Sequence, residues 1–313
     1  MTPPWQPTAT LTTIKARAQL YKTIRQFFEA RDVLEVETPI LGKAATVDPF
    51  IDSLHTRVMG ELRFLQTSPE FFMKRLLAAG TGSIYSLGKV FRQGEQGHKH
   101  HPEFTLLEWY RVAWDEQQLI DEVATLFLQL IPTLDVTKLS YRECFEKALG
   151  FDPHSASDEE LKKTVLDNID CDLNNEPRNT WLDLLMTHCV EPTLPKGLVF
   201  IYDYPATQAA LAKIDKNNNS QLVAKRFEAY INRLEIANGY FELTDAVEQE
   251  NRFIQDQSYK KKNQNNFLPY DKQLVAALKN GMPVCAGVAV GVDRLLMVMC
   301  GINTIQEVIA FNA

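Results

Sequence analysis

The sequence is short of the residues that mark several common protein classes. Its five cysteines (Cys144, Cys171, Cys189, Cys285 and Cys300) are odd in number and contain no CxxC pair. Neither a disulfide framework nor a zinc ribbon is expected, and the thiols read as reduced and cytosolic. Fourteen Gly and 15 Pro in 313 residues are too few for collagen or a low-complexity chain. Positive charge is scarce: 33 Lys+Arg against 40 Asp+Glu leave a net charge of −7. That balance lacks the footprint of a protein that tracks nucleic-acid phosphates, so any phosphate chemistry must be local. The opening MTPPWQPTAT has neither a basic nor an apolar leader region, so a secretory signal is not expected. The most apolar stretch, residues 284–302, carries Asp293 and Arg294 at its centre. Each would cost roughly 2.5–3.5 kcal/mol in a bilayer, so the stretch reads as a buried element with a functional interruption, not a membrane span. What is present is a 45% hydrophobic complement, which excludes disorder and suits one large soluble domain or two small ones with a shared core.

Along residues 11–31 the apolar side chains Ile14, Ala18, Tyr21, Ile24 and Phe28 recur at helical steps, with Thr12 or Thr13 as the expected N-cap. Residues 33–38 alternate as a strand and stop at Pro39. Strands are expected at 61–66, 83–91 and 104–110, with a helix opened by Ser68-Pro69-Glu70 and another over 115–130. Residues 133–198 differ in character: positions 152–176 hold eight acids against Lys162 and Lys163. This region reads as an acidic helical insertion between two halves of one sheet, within a single domain spanning residues 1–313. Strands resume at 198–204, 227–237 and 285–290, and a helix follows Gly291. The runs Asn217–Asn219 and Lys260–Lys262 read as solvated loops. Segregated helices and many strands predict an α+β fold with a mainly antiparallel sheet. No G-x-G-x-x-G follows a strand and no G-x-x-x-x-G-K-[ST] occurs, so a nucleotide would bind without a glycine-rich phosphate loop.

Three constellations carry chemistry. Arg92 ends one strand and Phe104 opens the next, so a guanidinium could grip a phosphate while a ring stacks on a base. Gly291 permits close approach of a ligand, and Arg294, in apolar surroundings, needs an anionic partner. Asp293 reads as half of a structural salt bridge. His98, His100 and His101 lack the acidic or thiol partners of a metal site and read as a phosphate-facing loop.

Together these segments resemble motifs 1, 2 and 3 of the class II aminoacyl-tRNA synthetases. Residues 67–75 (TSPEFFMKR), 101–111 (HPEFTLLEWYR) and 235–245 (EIANGYFELTD) are similar to the lysyl branch. The chain reaches the first motif within about a dozen residues, which leaves no room for an anticodon-reading OB-fold. It therefore looks like the elongation factor P–(R)-β-lysine ligase family, which keeps only the catalytic core. That resemblance implies an α+β core with an antiparallel sheet of about six to seven strands flanked by helices. It implies activation of (R)-β-lysine with ATP and transfer to a lysine of elongation factor P by a cytoplasmic homodimer, with no membrane and with tRNA not the main substrate. A lysyl-tRNA synthetase-like enzyme using α-lysine and a non-catalytic paralogue are the alternatives.

For the site, the resemblance implies that Arg92 holds the α-phosphate, Arg294 the γ-phosphate, and that Phe104 stacks adenine against Arg294. Gln93, Gly94, Glu95, His101, Ile236 and Gly291 join the nucleotide site, although the usual Arg-x-Glu spacing is shifted by one here and His101 replaces a usual Asn. Glu235 and Glu242 are the implied Mg²⁺ ligands, brought to one side if Asn238-Gly239 breaks the strand count. Glu70, beside Ser68, is matched to the amine near the carboxylate, and Glu108 and Tyr110 to the distal ammonium. Asn238, Glu242 and Ala289 complete the pocket; Ala289 stands where lysyl-tRNA synthetases have Gly, a methyl worth about 1–3 kcal/mol of discrimination.

Overall fold

The computed structural model describes residues 5–173, 176–264 and 268–312; the first four residues of the opening segment, two positions of the acidic stretch, residues 265–267 and Ala313 lie outside them. Helix α1 (Leu11–Glu29) begins earlier than the apolar spacing suggests. Thr10, not Thr12 or Thr13, caps it, its Oγ1 accepting from the Thr13 amide at 3.1 Å. Leu20, Ile24, Phe27 and Phe28 form its buried face. Burying each such side chain contributes roughly 1.5–3 kcal/mol. Of the alternating run at 33–38, only β1 (Leu34–Glu35) enters a ladder. Strands β2 (Leu41–Gly42), β3 (His55–Val58) and β4 (Glu61–Leu65) make a small sheet in the order β2-β4-β3. Helix α2 (Glu70–Ala78) starts after Pro69, and Ser68 Oγ accepts from the Glu70 amide at 3.0 Å. β5 (Ile84–Phe91) and β6 (Glu103–Val112) pair antiparallel, and α3 (Glu116–Leu130) follows a capping box from Asp115.

The insertion is not purely helical. Its first element, β7 (Val136–Ser140), pairs parallel with β8 (Leu198–Pro205) and forms one edge of the main sheet. Helices α4 (Tyr141–Leu149), α5 (Asp158–Asn168) and α6 (Arg178–Leu185) lie between them. Phe145, Leu161, Trp181 and Leu182 from these helices share a core with Val199, Ile201 and Tyr230 of the sheet.

β9 (Ile214–Lys216) and β10 (Leu222–Ile231) lead into β11 (Leu234–Phe241). The single strand expected over 227–237 is therefore a hairpin. Asn232 (φ 50) and Arg233 (φ 71) both adopt the left-handed region that a two-residue turn requires. Helices α7 (Ala246–Gln264) and α8 (Lys272–Gly281) precede β12 (Cys285–Gly291) and α9 (Val292–Cys300). Lys260–Lys262 is thus no solvated loop: it lies in α7. Lys260 is 1% exposed and donates to the Ile51 carbonyl at 2.5 Å, with Asp52 at 3.1 Å. No helix among the described residues is long and apolar enough to cross a membrane.

The fold is α+β with a mainly antiparallel sheet. The order is β1-β5-β6-β12-β11-β10-β8-β7, with β9 on β10, so nine strands replace the six or seven expected. The additional count comes from β1 and β7, which pair in parallel at the two edges, and from short β9. Strand parity divides the sheet. Leu107, Trp109, Val288 and Val290 point into the core built with α1, α3 and α9. Their alternates, including Glu108, Tyr110, Gly287 and Ala289, face a cavity.

Candidate active site

That cavity has a volume of about 800 Å³. Its floor is the opposite face of β6, β12 and β11, and its rim comes from residues 42–48, the start of α2, Arg92, residues 99–101 and Arg294. Ala289 pairs with Glu108 on one side and Asn238 on the other, so its methyl stands at the centre of the floor.

Glu235 and Glu242 reach this face through a bulge, though not the one expected. Ala237 pairs with Ala229, but Glu235 pairs with Tyr230, which leaves Ile236 as the extra residue. Asn238-Gly239 stays in regular register. One added residue reverses parity, so Glu235 joins Asn238, Tyr240 and Glu242 on the cavity side while Ile236 and Ala237 pack in the core.

At one end the charges are buried and paired. Ser68 Oγ and the Tyr110 hydroxyl each donate to the Glu108 carboxylate at 2.7 Å. Burial, reinforced by the charge of Glu70, pushes the Glu108 pKa up to about 7 despite those two donors. Lys74 Nζ donates to Glu70 Oε1 at 2.6 Å and lies 2.7 Å from Glu242 Oε2. Burial raises Glu242 to about 8 even though Lys74 pulls it down. Burial alone would lower the Lys74 pKa; Glu242 and Glu70 more than reverse this and raise it. Gly287 makes room for the cluster: a Cβ there would lie 2.3 Å from the Tyr110 ring and 2.6 Å from Glu242 Oε1. Beside the floor, on the same face of neighbouring β10, Arg226 Nε donates to Asn238 Oδ1 at 3.2 Å, and Asn238 Nδ2 donates to the Tyr240 hydroxyl at 2.9 Å. Arg226 also pairs with Glu228 at 2.5 Å, which in turn accepts from Tyr204 and Tyr230. With its oxygen engaged by Arg226, Asn238 turns its amide N–H groups toward Tyr240, so any further contact it makes there is as a donor.

At the other end the groups are more open and rest on backbone carbonyls. Arg92 Nε donates to the Thr67 carbonyl at 3.4 Å, and its guanidinium sits 5.1 Å from the Phe104 ring centroid. Arg294 donates to the Lys99 carbonyl at 3.2 Å and to the Glu235 carbonyl at 3.1 Å, with the Glu235 carboxylate at 3.3 Å. His100 Nε2 lies 2.6 Å from Arg294 Nη2. Burial and then the Arg294 charge lower the His100 pKa, against the pull of Glu95, so a neutral ring faces the guanidinium. Asp293 is structural, as expected: it pairs with Arg17 at 2.5 Å and accepts from the Thr105 amide at 2.6 Å.

The family described as tRNA synthetases class II (D, K and N) matches residues 6–313. A protein of Pseudoalteromonas translucida named elongation factor P–(R)-β-lysine ligase is 46% identical, over 98% of this chain and 97% of its own. Proteins of that name from Avibacterium paragallinarum and Yersinia enterocolitica are 44% and 43% identical over the same shares. The chain belongs to that ligase family, within the class II tRNA synthetases.

In this class II synthetase core, the motif 2 loop departs most from the expected nucleotide set. Gln93 and Gly94 do not line the cavity. The Gln93 amide bonds the Asp52 carbonyl at 2.8 Å, and Gly94, at φ 82, makes the exposed turn beyond it. Glu95, one later, does line the cavity, 4.0 Å from Arg92 and 3.5 Å from His100. His101 is also at the wall, with Nδ1 2.7 Å from the Glu103 carbonyl. Phe104, Ile236, Gly291, Ser68 and Glu70 line the same space. The Phe104 ring lies under the Arg92 guanidinium. Lys74 and Arg226 were not singled out from the sequence, whereas His100 belongs to the histidine loop that was. The E-x-x-x-K spacing of Glu70 and Lys74 is a helical ion-pair signal that could have found the first.

Proposed function

We propose that this ligase activates (R)-β-lysine with ATP and transfers it to the ε-amine of a lysine on elongation factor P. The observation that carries the reading is the polarity of one cavity: three carboxylates at the buried end, two guanidiniums at the open end. In the first step a carboxylate oxygen of the amino acid attacks the α-phosphorus and pyrophosphate leaves. In the second the acceptor nitrogen attacks the acyl carbon, the bond to AMP breaks and the nitrogen loses a proton. Arg92 holds the α-phosphate where charge builds, Arg294 the outer phosphates, and Phe104 stacks on the adenine. Glu95, His101, Ile236 and Gly291 shape the nucleotide wall. Glu70 and Glu242 accept the amine near the reacting carboxylate, Glu108 with Tyr110 the distal ammonium, and Asn238 donates to the carboxylate end.

Among the described residues no group of three or more His, Cys, Asp or Glu could hold a metal ion by itself. Glu235 and Glu242 stand at opposite ends of the cavity, Glu235 beside Arg294 and Glu242 on Lys74, so they do not fit one shared ion; a single carboxylate at the phosphate end does fit one that arrives with the nucleotide, because Mg²⁺ takes one or two protein oxygens and completes its shell with phosphate and water. Glu235, 43% exposed beside Arg294, is the proposed protein ligand; the ion would neutralise phosphate charge. We read the chain as one catalytic domain carrying the insertion. A cytoplasmic homodimer is also part of the reading, supported by exposed Leu34, Ile40 and Leu41 following α1.

ATP–pyrophosphate exchange with (R)-β-lysine and α-lysine tests the activation step. Faster exchange with the β-isomer is expected; no exchange with either would refute it.

A further inference from the structure

We infer that Lys74 is a positioning residue of the amino-acid pocket: a built-in ammonium that fixes Glu70 and Glu242 and sets the pocket's formal charge to match a substrate with two amines. The inference rests on the reading of Glu70, Glu108 and Glu242 as amine acceptors.

Lys74 is 1% exposed, an unusual position for a lysine, whose head group ordinarily stays in water. Its ammonium bridges two chain segments, reaching Glu70 Oε1 at 2.6 Å within α2 and Glu242 Oε2 at 2.7 Å just past β11. Without it, two carboxylates would face each other in a buried place with nothing between them, an arrangement of like charges that neither would tolerate. With it, each gives one oxygen to Lys74 and keeps the other. For Glu242 that other oxygen, Oε1, lies over the bare Cα of Gly287 on the cavity floor. The charge count follows: three carboxylates and one ammonium leave two negative charges, and a diammonium substrate supplies two positive ones. A pocket without Lys74 would hold three against two and would have lost the strut that separates its acids.

A merely structural lysine would lower stability and damage both substrates' binding together; a positioning lysine should act on one. In exchange assays, Lys74→Gln is expected to raise the amino-acid KM about tenfold or more while the ATP KM stays within about twofold. Lys74→Arg, which keeps the charge but not the shape, is expected to raise the amino-acid KM about threefold, again selectively. Equal changes in both KM values, or none, in either variant would overturn the inference. If Lys74→Gln does not fold, Lys74→Arg decides alone by the same criterion. Glu70→Gln in parallel separates the two levels: a raised amino-acid KM there with none for Lys74→Gln removes the role of Lys74, whereas no change in either removes the reading of the pocket.

Discussion

The two ends of the cavity solve opposite problems. At the amino-acid end, Glu108, Glu242 and Lys74 are almost wholly buried and every charge is met by a fixed neighbour. At the nucleotide end, Arg92 and Arg294 remain partly exposed and lean on backbone carbonyls and on the loop that follows Arg92. The buried end is preset, so its groups discriminate; the open end is adaptable, and its groups gain their full worth when phosphate charge arrives.

That contrast predicts different responses to mutation. Glu242→Ala leaves the buried Lys74 ammonium half-paired and should destabilise the fold by about 3 kcal/mol, read as a lowered midpoint in chemical denaturation. Arg294→Ala should leave that midpoint nearly unchanged yet slow adenylate formation about 10²-fold or more in pre-steady-state assays. If the two variants show the same pattern, the contrast is wrong.

pH sharpens it further. Glu108 and Glu242 have folded pKa values raised to about 7 and about 8, above the ordinary carboxylate range. The folded state then binds more protons than the unfolded chain, so ligand-free stability should fall as pH rises from about 5 to 8. Amino-acid binding, which needs the ionised acids, should strengthen over pH 6–8. Opposed slopes in thermal unfolding and in amino-acid kcat/KM are expected; parallel slopes would count against the assignment of these acids. The smallest effect is Ala289→Gly: removing one methyl from the floor should shift preference toward α-lysine by about 1–3 kcal/mol, measured as a ratio of kcat/KM values.

Much of this was legible in the sequence because strand parity does the work. Glu108 and Tyr110, two apart on β6, share a face with no need of tertiary information, and Ser68 with Glu70 opens a helix that any Ser-Pro-Glu would suggest. The bulge at Ile236 was not legible, because an apolar residue in an apolar strand carries no sign that it is unpaired. The Asn232-Arg233 turn was missed because it contains no glycine. That Gln93 and Gly94 fall outside the cavity wall was not legible either, since the Gln93 amide is held by the distant Asp52 carbonyl. Lys260 looked solvated in a run of three lysines, yet a carbonyl on another segment captures it.

The central claim is that the acidic end and the guanidinium end serve one acyl-transfer reaction on a protein. Incubating the purified chain with ATP, radiolabelled (R)-β-lysine and elongation factor P tests it most directly. The account predicts label on a lysine of the factor in a bond stable to alkaline hydroxylamine; an unlabelled factor, or label found only on tRNA, would contradict it.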